Sequence, residues 1–224
     1  MALFWLLTMV LVAAGALMTT LAIAYRVPAL QPRRIFDEPH RKLKGPAFQR
    51  RVMANMVLSG GLVFALAFAP YHYLFHQRPT SWLVAVAQGV AILALYDVGY
   101  YAMHRFAFHQ WAWLKRVHAV HHTVRHPNAL DSLYLHPVET FCGVALLMLC
   151  TFLVGPVHVA TFAGVFAVYS FLNILVHSGL DFPFFPLRAV SYLARKHDVH
   201  HTTMRGGNFA SITPLCDLLF GTAE

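Results

Sequence analysis

Residues 140–176 read TFCGVALLMLCTFLVGPVHVATFAGVFAVYSFLNILV, a run of 37 positions without a formal charge. One helix needs about 20 apolar residues to cross a bilayer, so this run is long enough for two short spans. The pair Gly155-Pro156 lies near its middle and is typical of a turn. The run therefore predicts a hairpin of two membrane helices.

Three further apolar blocks precede this hairpin, at residues 1–25, 52–75 and 82–103. The first block has neither a charged residue nor a basic start, so we interpret it as a retained span rather than a signal peptide. The third contains a single charge, Asp97. Together the blocks predict an all-α, multi-pass membrane protein with about four to five membrane helices.

The composition excludes several other classes of protein. The 224 residues are 58% hydrophobic and only 12% charged, and the mean hydropathy is +0.55. Because soluble domains carry about 25% charged residues, an ordinary soluble enzyme is excluded. A net charge of +8, dispersed along the chain, does not indicate a nucleic-acid binder. The three cysteines form no CxxC motif, and no nucleotide-binding or c-type haem motif occurs.

The charges predict how the chain crosses the membrane. Residues 26–51 hold eight Lys and Arg, and such basic loops face the cytosol. Segments 104–139 and 177–224 then return to the same side, which predicts a cytosolic, histidine-rich helical cap. The short chain, without an attached electron-donor domain, favours a bacterial inner membrane and leaves a eukaryotic reticulum open. Four histidines match no motif and are interpreted as loop or interfacial residues: His40, His72, His76 and His158.

The clearest chemical pattern is HAVHH at residues 118–122, with a near copy, HDVHH, at 197–201. On a helix, positions i, i+3 and i+4 project from one side, so we expect the three imidazoles of each copy to converge on one point. The motif HRFAFH at 104–109 separates its histidines by roughly 140° on a straight helix. That pair can hold a common ligand only where the helix ends or unwinds. The motif NILVH at 173–177 adds His177.

These motifs supply more candidate ligands than one metal ion needs. A structural zinc site takes four ligands, so nine imidazoles without convergent cysteines predict two metals with about four to five histidines each. Imidazole binds Zn, Cu, Fe and Ni, so the ligand type alone does not name the metal. The candidate ligands are His104, His109, His118, His121, His122, His177, His197, His200 and His201.

This ordered set of motifs resembles the fatty acid hydroxylase/sterol desaturase superfamily of membrane di-iron oxygenases. Three other stretches resemble that family's sequences: DVGYYAMHR at 97–105, LYLHPVE at 133–139 and GNFASITPLCDLLFGT at 207–222. The resemblance covers about residues 90–224. It divides the chain into N-terminal spans with a basic loop, residues 1–89, and a catalytic domain, residues 90–224.

The resemblance implies an enzyme in which two iron ions, held by the nine histidines, use O2 to hydroxylate or desaturate a lipid. Electrons come from a separate protein, cytochrome b5-like or ferredoxin-like. One departure concerns Asn173, where some family members have a histidine. His136 either replaces that ligand or forms a hydrogen bond near the metals. The lipid itself, a fatty acyl chain, a sterol or another class, stays open.

Two carboxylates are candidates for hydrogen bonds to the ligands, because ligating histidines usually donate their second N–H to such a group. Asp97 precedes His104 by seven residues and shares its helical face, and Glu139 follows His136 by three residues. For Asn208 a solvated loop position is the expectation.

Three other functions fit parts of the pattern. A metal transporter also needs histidine clusters, but it places them near the midplane of the membrane. A zinc hydrolase needs a glutamate base in a motif such as H-E-x-x-H, which does not occur. A catalytically inactive, lipid-binding scaffold stays open because of Asn173.

Overall fold

The computed structural model describes residues 1–37 and 44–224. Part of the basic segment, including His40, lies outside these described residues. The α-helices are α1 (Ala2–Ala24), α2 (Gly45–Phe68), α3 (Tyr71–Leu74), α4 (Trp82–Ala102), α5 (Ala112–His118), α6 (Pro137–Val154), α7 (Val159–Val176), α8 (Leu187–Thr202) and α9 (Leu215–Leu219). The 3-10 turns are Pro28–Arg33, His121–Thr123 and Ala129–Leu133, and a π-helical turn covers Met103–Phe108.

Five of these helices are long and apolar enough to cross a membrane: α1, α2, α4 with the π-helical turn that continues it, α6 and α7. This confirms the prediction of about four to five membrane helices, including the hairpin. Gly155 ends α6 with a φ of +100°, a conformation that a side chain would strain. The helix α2 ends at Phe68, before Pro70, which has no N–H to continue the hydrogen-bonding pattern.

The outside of the bundle is apolar. Large side chains such as Val57 and Leu153 are more than 60% exposed, which suits helices surrounded by acyl chains. A second set of apolar side chains, which includes Leu7, Ile92 and Phe162, fills the interior. The two N-terminal helices are part of this bundle, since α1 packs mainly on α7 and α2 packs mainly on α6. The proposed division at residue 89 stays a prediction.

The end of α4 that leads to His104 and the end of α7 that leads to His177 lie at the same end of the bundle, which we call the histidine end. The polar segments gather there. There the Asn55 amide donates hydrogen bonds to the carbonyl oxygens of Leu133 and Leu135, at 2.9 and 2.7 Å. At the opposite end a short parallel ladder joins β1 (Phe75–His76) to β2 (Val157–His158). The sequence predicted this separation of large polar segments from short loops.

Candidate metal centre

The nine candidate ligands form two groups, in each of which one nitrogen from every histidine lies within 4.8 Å of the others. The five-histidine group consists of His104, His109, His118, His122 and His200. The four-histidine group consists of His121, His177, His197 and His201. Eight of the nine side chains are buried, and that of His197 is partly buried.

Each HxxHH motif contributes to both groups, so the expectation that its three imidazoles converge on one point was wrong. In the first motif His118 and His122 belong to the five-histidine group, and His121 belongs to the other. In the second motif His200 joins the five-histidine group without His197 or His201. In the second motif, on α8, the reason is helical geometry, because positions i+3 and i+4 lie about 100° apart around the axis. In the first motif α5 ends at His118, and His121 and His122 lie in the 3-10 turn that follows. Each motif therefore lies between the two groups and supplies both.

The π-helical turn Met103–Phe108 brings together the two histidines of HRFAFH. The His109 N–H donates to the His104 carbonyl, five residues earlier, and the two rings lie 5.0 Å apart. The i to i+5 hydrogen bond of a π-helix widens the turn, which brings residues five apart closer to one face than an α-helix does. This local widening meets the condition under which the sequence allowed the pair to share a ligand.

Four nitrogens of the five-histidine group form a closed ring of nearly equal edges. Nε2 of His104 lies 2.9 Å from that of His118, which lies 3.0 Å from that of His122. The His200 Nε2 completes the ring at 3.1 Å from both His122 and His104. A square with edges of about 3.0 Å has its corners about 2.1 Å from its centre, which is the bond length between an imidazole nitrogen and a metal ion such as zinc.

The fifth histidine of this group carries a nitrogen that needs a partner. His109 Nε2 is buried and has no hydrogen-bond partner among the described residues, although its Nδ1 lies 3.1 Å from the Met204 carbonyl oxygen. A buried, unpaired nitrogen costs free energy unless something binds it. A metal ion coordinated by the other four histidines gives this nitrogen a partner.

In the four-histidine group the Nε2 atoms form an open chain. Nε2 of His177 lies 3.2 Å from that of His121 and 2.8 Å from that of His197, which lies 3.1 Å from that of His201. These separations match those of the first group. The donor set is therefore suited to a second ion with fewer protein ligands.

Hydrogen bonds determine which nitrogen of most of these rings carries the proton. A backbone carbonyl oxygen can only accept, so the Nδ1 facing it must be the donor and Nε2 is left with a free lone pair. Glu139 Oε1 accepts from His118 Nδ1 in the same way, at 2.8 Å. For six further rings the acceptors are the backbone carbonyl groups of Phe209, Met204, Tyr134, Asn173, Gly207 and Val124. His122 Nδ1 is buried and has no hydrogen-bond partner among the described residues.

Burial also keeps these rings neutral. It lowers the pKa of His177 to about 4 and that of His201 to about 3. Burial, followed by the charge of neighbouring histidines, lowers the pKa of His121 and His200 well below the usual value. The neutral imidazole is the form that binds a metal, so both groups are ready to do so at neutral pH. Converging lone pairs repel one another unless a cation lies between them, so the donor set fits metal ions.

The other predicted residues occupy different positions around the two groups. Glu139 contacts His118, as described, and the Asn173 backbone oxygen accepts from His177 Nδ1 at 2.6 Å. His136 lies outside both groups, and its Nδ1 accepts from the Val138 N–H at the start of α6.

Asp97 acts on the C-terminal segment instead of on a histidine. It accepts from the backbone N–H groups of Ile212 and Thr213 and from the Thr213 hydroxyl. These bonds hold the segment whose Gly207 and Phe209 carbonyl groups orient His200 and His104. Asp97 therefore supports two candidate ligands indirectly, through the segment whose carbonyl groups orient them.

A buried ion pair that no sequence motif indicated also holds this segment. Lys196 Nζ lies 2.5 Å from Asp217 Oδ2, and neither side chain is more than 4% exposed. Asp217 also accepts from the N–H groups of Phe209 and Ala210. Asn208, expected to be solvated, is buried with a φ of +61° and donates to the Lys196 carbonyl. The only signal in the sequence was the position of Lys196 beside His197.

A largely apolar cavity of about 440 Å³ reaches both histidine groups. This volume lies within the range of about 300–1,000 Å³ that is typical of small-molecule sites. His104 of the five-histidine group contributes to its wall, and so do three members of the four-histidine group, His121, His177 and His197. The side chains of α1, α2, α6 and α7 form most of the remaining wall. An apolar molecule in this cavity would extend from the bundle interior to the metal ligands.

The chain is similar in sequence to proteins of one family. The sequence model of the fatty acid hydroxylase family matches residues 89–222. Methylsterol monooxygenase 1 of Rattus norvegicus is 30% identical over 197 residues, covering 84% of this chain and 63% of that protein. Methylsterol monooxygenase 1 of Gallus gallus is 34% identical over 156 residues, covering 67% of this chain and 50% of that protein.

A plant protein with nearly the same name is also similar in sequence to this chain. Methylsterol monooxygenase 1-1 of Arabidopsis thaliana is 34% identical over 146 residues, covering 61% of this chain and 47% of that protein. The chain thus spans about half to two thirds of the length of these curated relatives. No solved structure matches the chain.

Proposed function

This chain belongs to the fatty acid hydroxylase family, and on that basis we propose that it is a membrane oxygenase that hydroxylates a lipid. One observation carries the proposal: two groups of inward-facing imidazole nitrogens lie at one end of an apolar cavity inside a bundle of membrane helices. A C–H bond of a lipid held in that cavity would be close to both groups.

The metals proposed for the two groups are iron ions. Five ligands exceed the four of a tetrahedral zinc site, which supports a metal of higher coordination number at the five-histidine group. The four-histidine group leaves room for further ligands that do not come from the protein. Bound there, two iron ions would supply the redox chemistry that activates O2.

The chain's own groups would bind the metals, orient the ligating rings and shield the site from water. The Nε2 atoms would bind the metals, and the carbonyl groups facing Nδ1 fix the orientation of six of the nine rings. Glu139 does the same for His118, because its Oε1 accepts the Nδ1 proton. The apolar wall of the cavity excludes water and positions the lipid. We assign no separate catalytic acid or base.

The overall reaction requires an external reductant. One oxygen atom of O2 enters a C–H bond, and the other is reduced to water by two electrons and two protons. We propose that a separate cytochrome b5-like or ferredoxin-like protein delivers these electrons at the histidine end. The basic residues between α1 and α2 orient that end toward the cytosol.

Hydroxylation is favoured over desaturation because the relatives are named monooxygenases. Their names also make a methylsterol the first substrate to test. Metal transport is disfavoured because the histidine groups lie at one end of the bundle and not at its midplane. The scaffold alternative predicts lipid binding without turnover, so the same experiment separates it from an oxygenase.

The test uses the full chain in vesicles with a methylsterol, reduced ferredoxin and ¹⁸O2. The expected product carries one ¹⁸O atom, detected by mass spectrometry of the extracted lipids. The matched control is His121→Ala, which removes one ligand of the four-histidine group and should give no product. Failure of the wild-type chain to label a sterol or any lipid of a total membrane extract would contradict the oxygenase proposal.

A further inference from the structure

The helices α1 and α2 contact each other in the half of the bundle away from the histidine end. Away from the histidine end, the Phe4 and Phe64 rings lie 5.3 Å apart, and a Cβ atom on Gly60 would lie 4.0 Å from the Leu11 side chain. Beyond Leu11, toward the histidine end, the helices separate. A Cβ atom placed on Gly15 of α1 would have no heavy atom of the described residues within 4 Å.

Different partners hold the two helices apart on this side. The histidine-end half of α1 packs with Met18 and Leu21 in a cluster that includes Ile174 of α7. The corresponding half of α2 packs with Val52 in another cluster, on Tyr134. Leu130 and Leu133 of the 3-10 turn Ala129–Leu133 pack against both clusters, so the opening between the helices lies between this turn and the Leu11–Gly60 contact.

This opening connects the cavity to the surroundings of the bundle. Val12 of α1 and Val57 of α2 both line the cavity, and yet they are 68% and 70% exposed. Both residues lie inside candidate membrane spans, where the surroundings are acyl chains. The same cavity ends at His121 and His177. The opening therefore leads from the lipid phase to the histidine groups through apolar walls.

We propose that the gap between α1 and α2, on the histidine side of the Leu11–Gly60 contact, is the lateral entrance for the lipid substrate. The apolar part of the substrate farthest from the metals stays in this gap during the reaction. Both helices precede residue 89, where the match to the family begins. Because α1 and α2 line this gap, their residues select which lipid is accepted. This inference rests on the proposed function, because it assumes that the cavity holds the substrate.

The test is photolabelling of the full chain in phosphatidylcholine vesicles. The probes are a diazirine-bearing sterol and a fatty acid with a terminal diazirine, and the adducts are located by mass spectrometry. In the wild-type chain we expect adducts on cavity-lining residues of α1 and α2 that are buried from the bilayer, such as Met18 and Val63. Adducts confined to outward-facing positions such as Leu153 would overturn the proposal.

Two variants narrow the gap from opposite sides. Gly15→Trp places a large ring where a Cβ atom meets open space, and Val57→Trp acts from α2. Each should reduce the cavity adducts at least about tenfold, the effect of a cost of about 1.4 kcal/mol in access. Gly164→Trp on α7 is the matched control, since its Cβ position is also open but lies outside this cavity. Unchanged cavity labelling in both narrowed variants would overturn the proposal.

Labelling requires no turnover, so it is independent of the oxygenase test. If the wild-type chain forms no ¹⁸O product but its labelling depends on Gly15 and Val57 as described, the entrance stands and the oxygenase proposal fails. If product forms equally fast in the wild-type chain and in both narrowed variants, the oxygenase stands and the entrance fails. Metal content, measured in the same samples, identifies a variant that has not folded.

Discussion

Replacing Glu139 by alanine tests how the five-histidine group is held. Glu139 Oε1 accepts the His118 Nδ1 proton at 2.8 Å, and both side chains are buried. Alanine leaves that N–H without a partner, which costs about 1–3 kcal/mol. The metal-free chain can relax by turning the ring, so the cost falls mainly on the metal-bound state. We therefore expect roughly 5- to 150-fold weaker metal binding at this group, since each 1.4 kcal/mol is tenfold.

The assay is anaerobic competition for Fe(II) between the purified chain and a chelator of known affinity. Glu139→Gln is the matched control, because its amide oxygen can still accept from His118. We expect the glutamine variant to lose less affinity than the alanine variant, and the four-histidine group to be unaffected in both. Wild-type affinity at both groups in Glu139→Ala would refute the idea that this carboxylate holds His118 for the metal.

The remaining predictions concern residues outside the two histidine groups. Asp97→Ala should lower the thermal unfolding temperature, because each buried donor that it orphans costs about 1–3 kcal/mol, and an unchanged temperature would contradict the role given to it. His136→Ala should cost about 1 kcal/mol of stability through the lost helix cap without lowering the iron content, and a loss of iron would instead make His136 a ligand. Lys196→Met should destabilise the chain by about 3–5 kcal/mol because it leaves Asp217 buried without a countercharge, which chemical denaturation can measure.

The sequence was sufficient to predict the membrane helices because their signal is local. A run without charge, such as residues 140–176, has few alternatives to spanning a bilayer, and Gly155 marks the turn. The start of α2 was not predictable in the same way. It begins at Gly45, within the basic segment, so its first turn carries a different pattern from its apolar part.

The sequence also predicted the set of candidate ligands, but it did not predict which histidines belong to which group. Spacing places the histidines of HDVHH on one side of a helix, yet His200 and His201, which differ in direction by about 100°, belong to different groups. Similarly, the spacing of HRFAFH allowed a shared ligand only if the helix deformed. The π-helical turn that does so depends on contacts from distant residues, such as the Met204 carbonyl group.

The groups that orient the ligands were the least predictable. Backbone carbonyl oxygens supply most of them, and any residue type has one, so no motif identifies them. Asp97 was singled out because a charge inside a span is costly, but its partners lie 115 and 116 residues away. The Lys196–Asp217 pair joins two helices whose proximity no local pattern states.

The central claim is that two separate metals are bound and that each HxxHH motif serves both. Iron content of anaerobically purified protein, measured by elemental mass spectrometry, tests it most directly with the neighbouring variants His200→Ala and His201→Ala. We expect about two iron ions per wild-type chain and about one in each variant, because the two histidines belong to different groups. One ion per wild-type chain, or a loss of both ions in both variants, would contradict the two-site account.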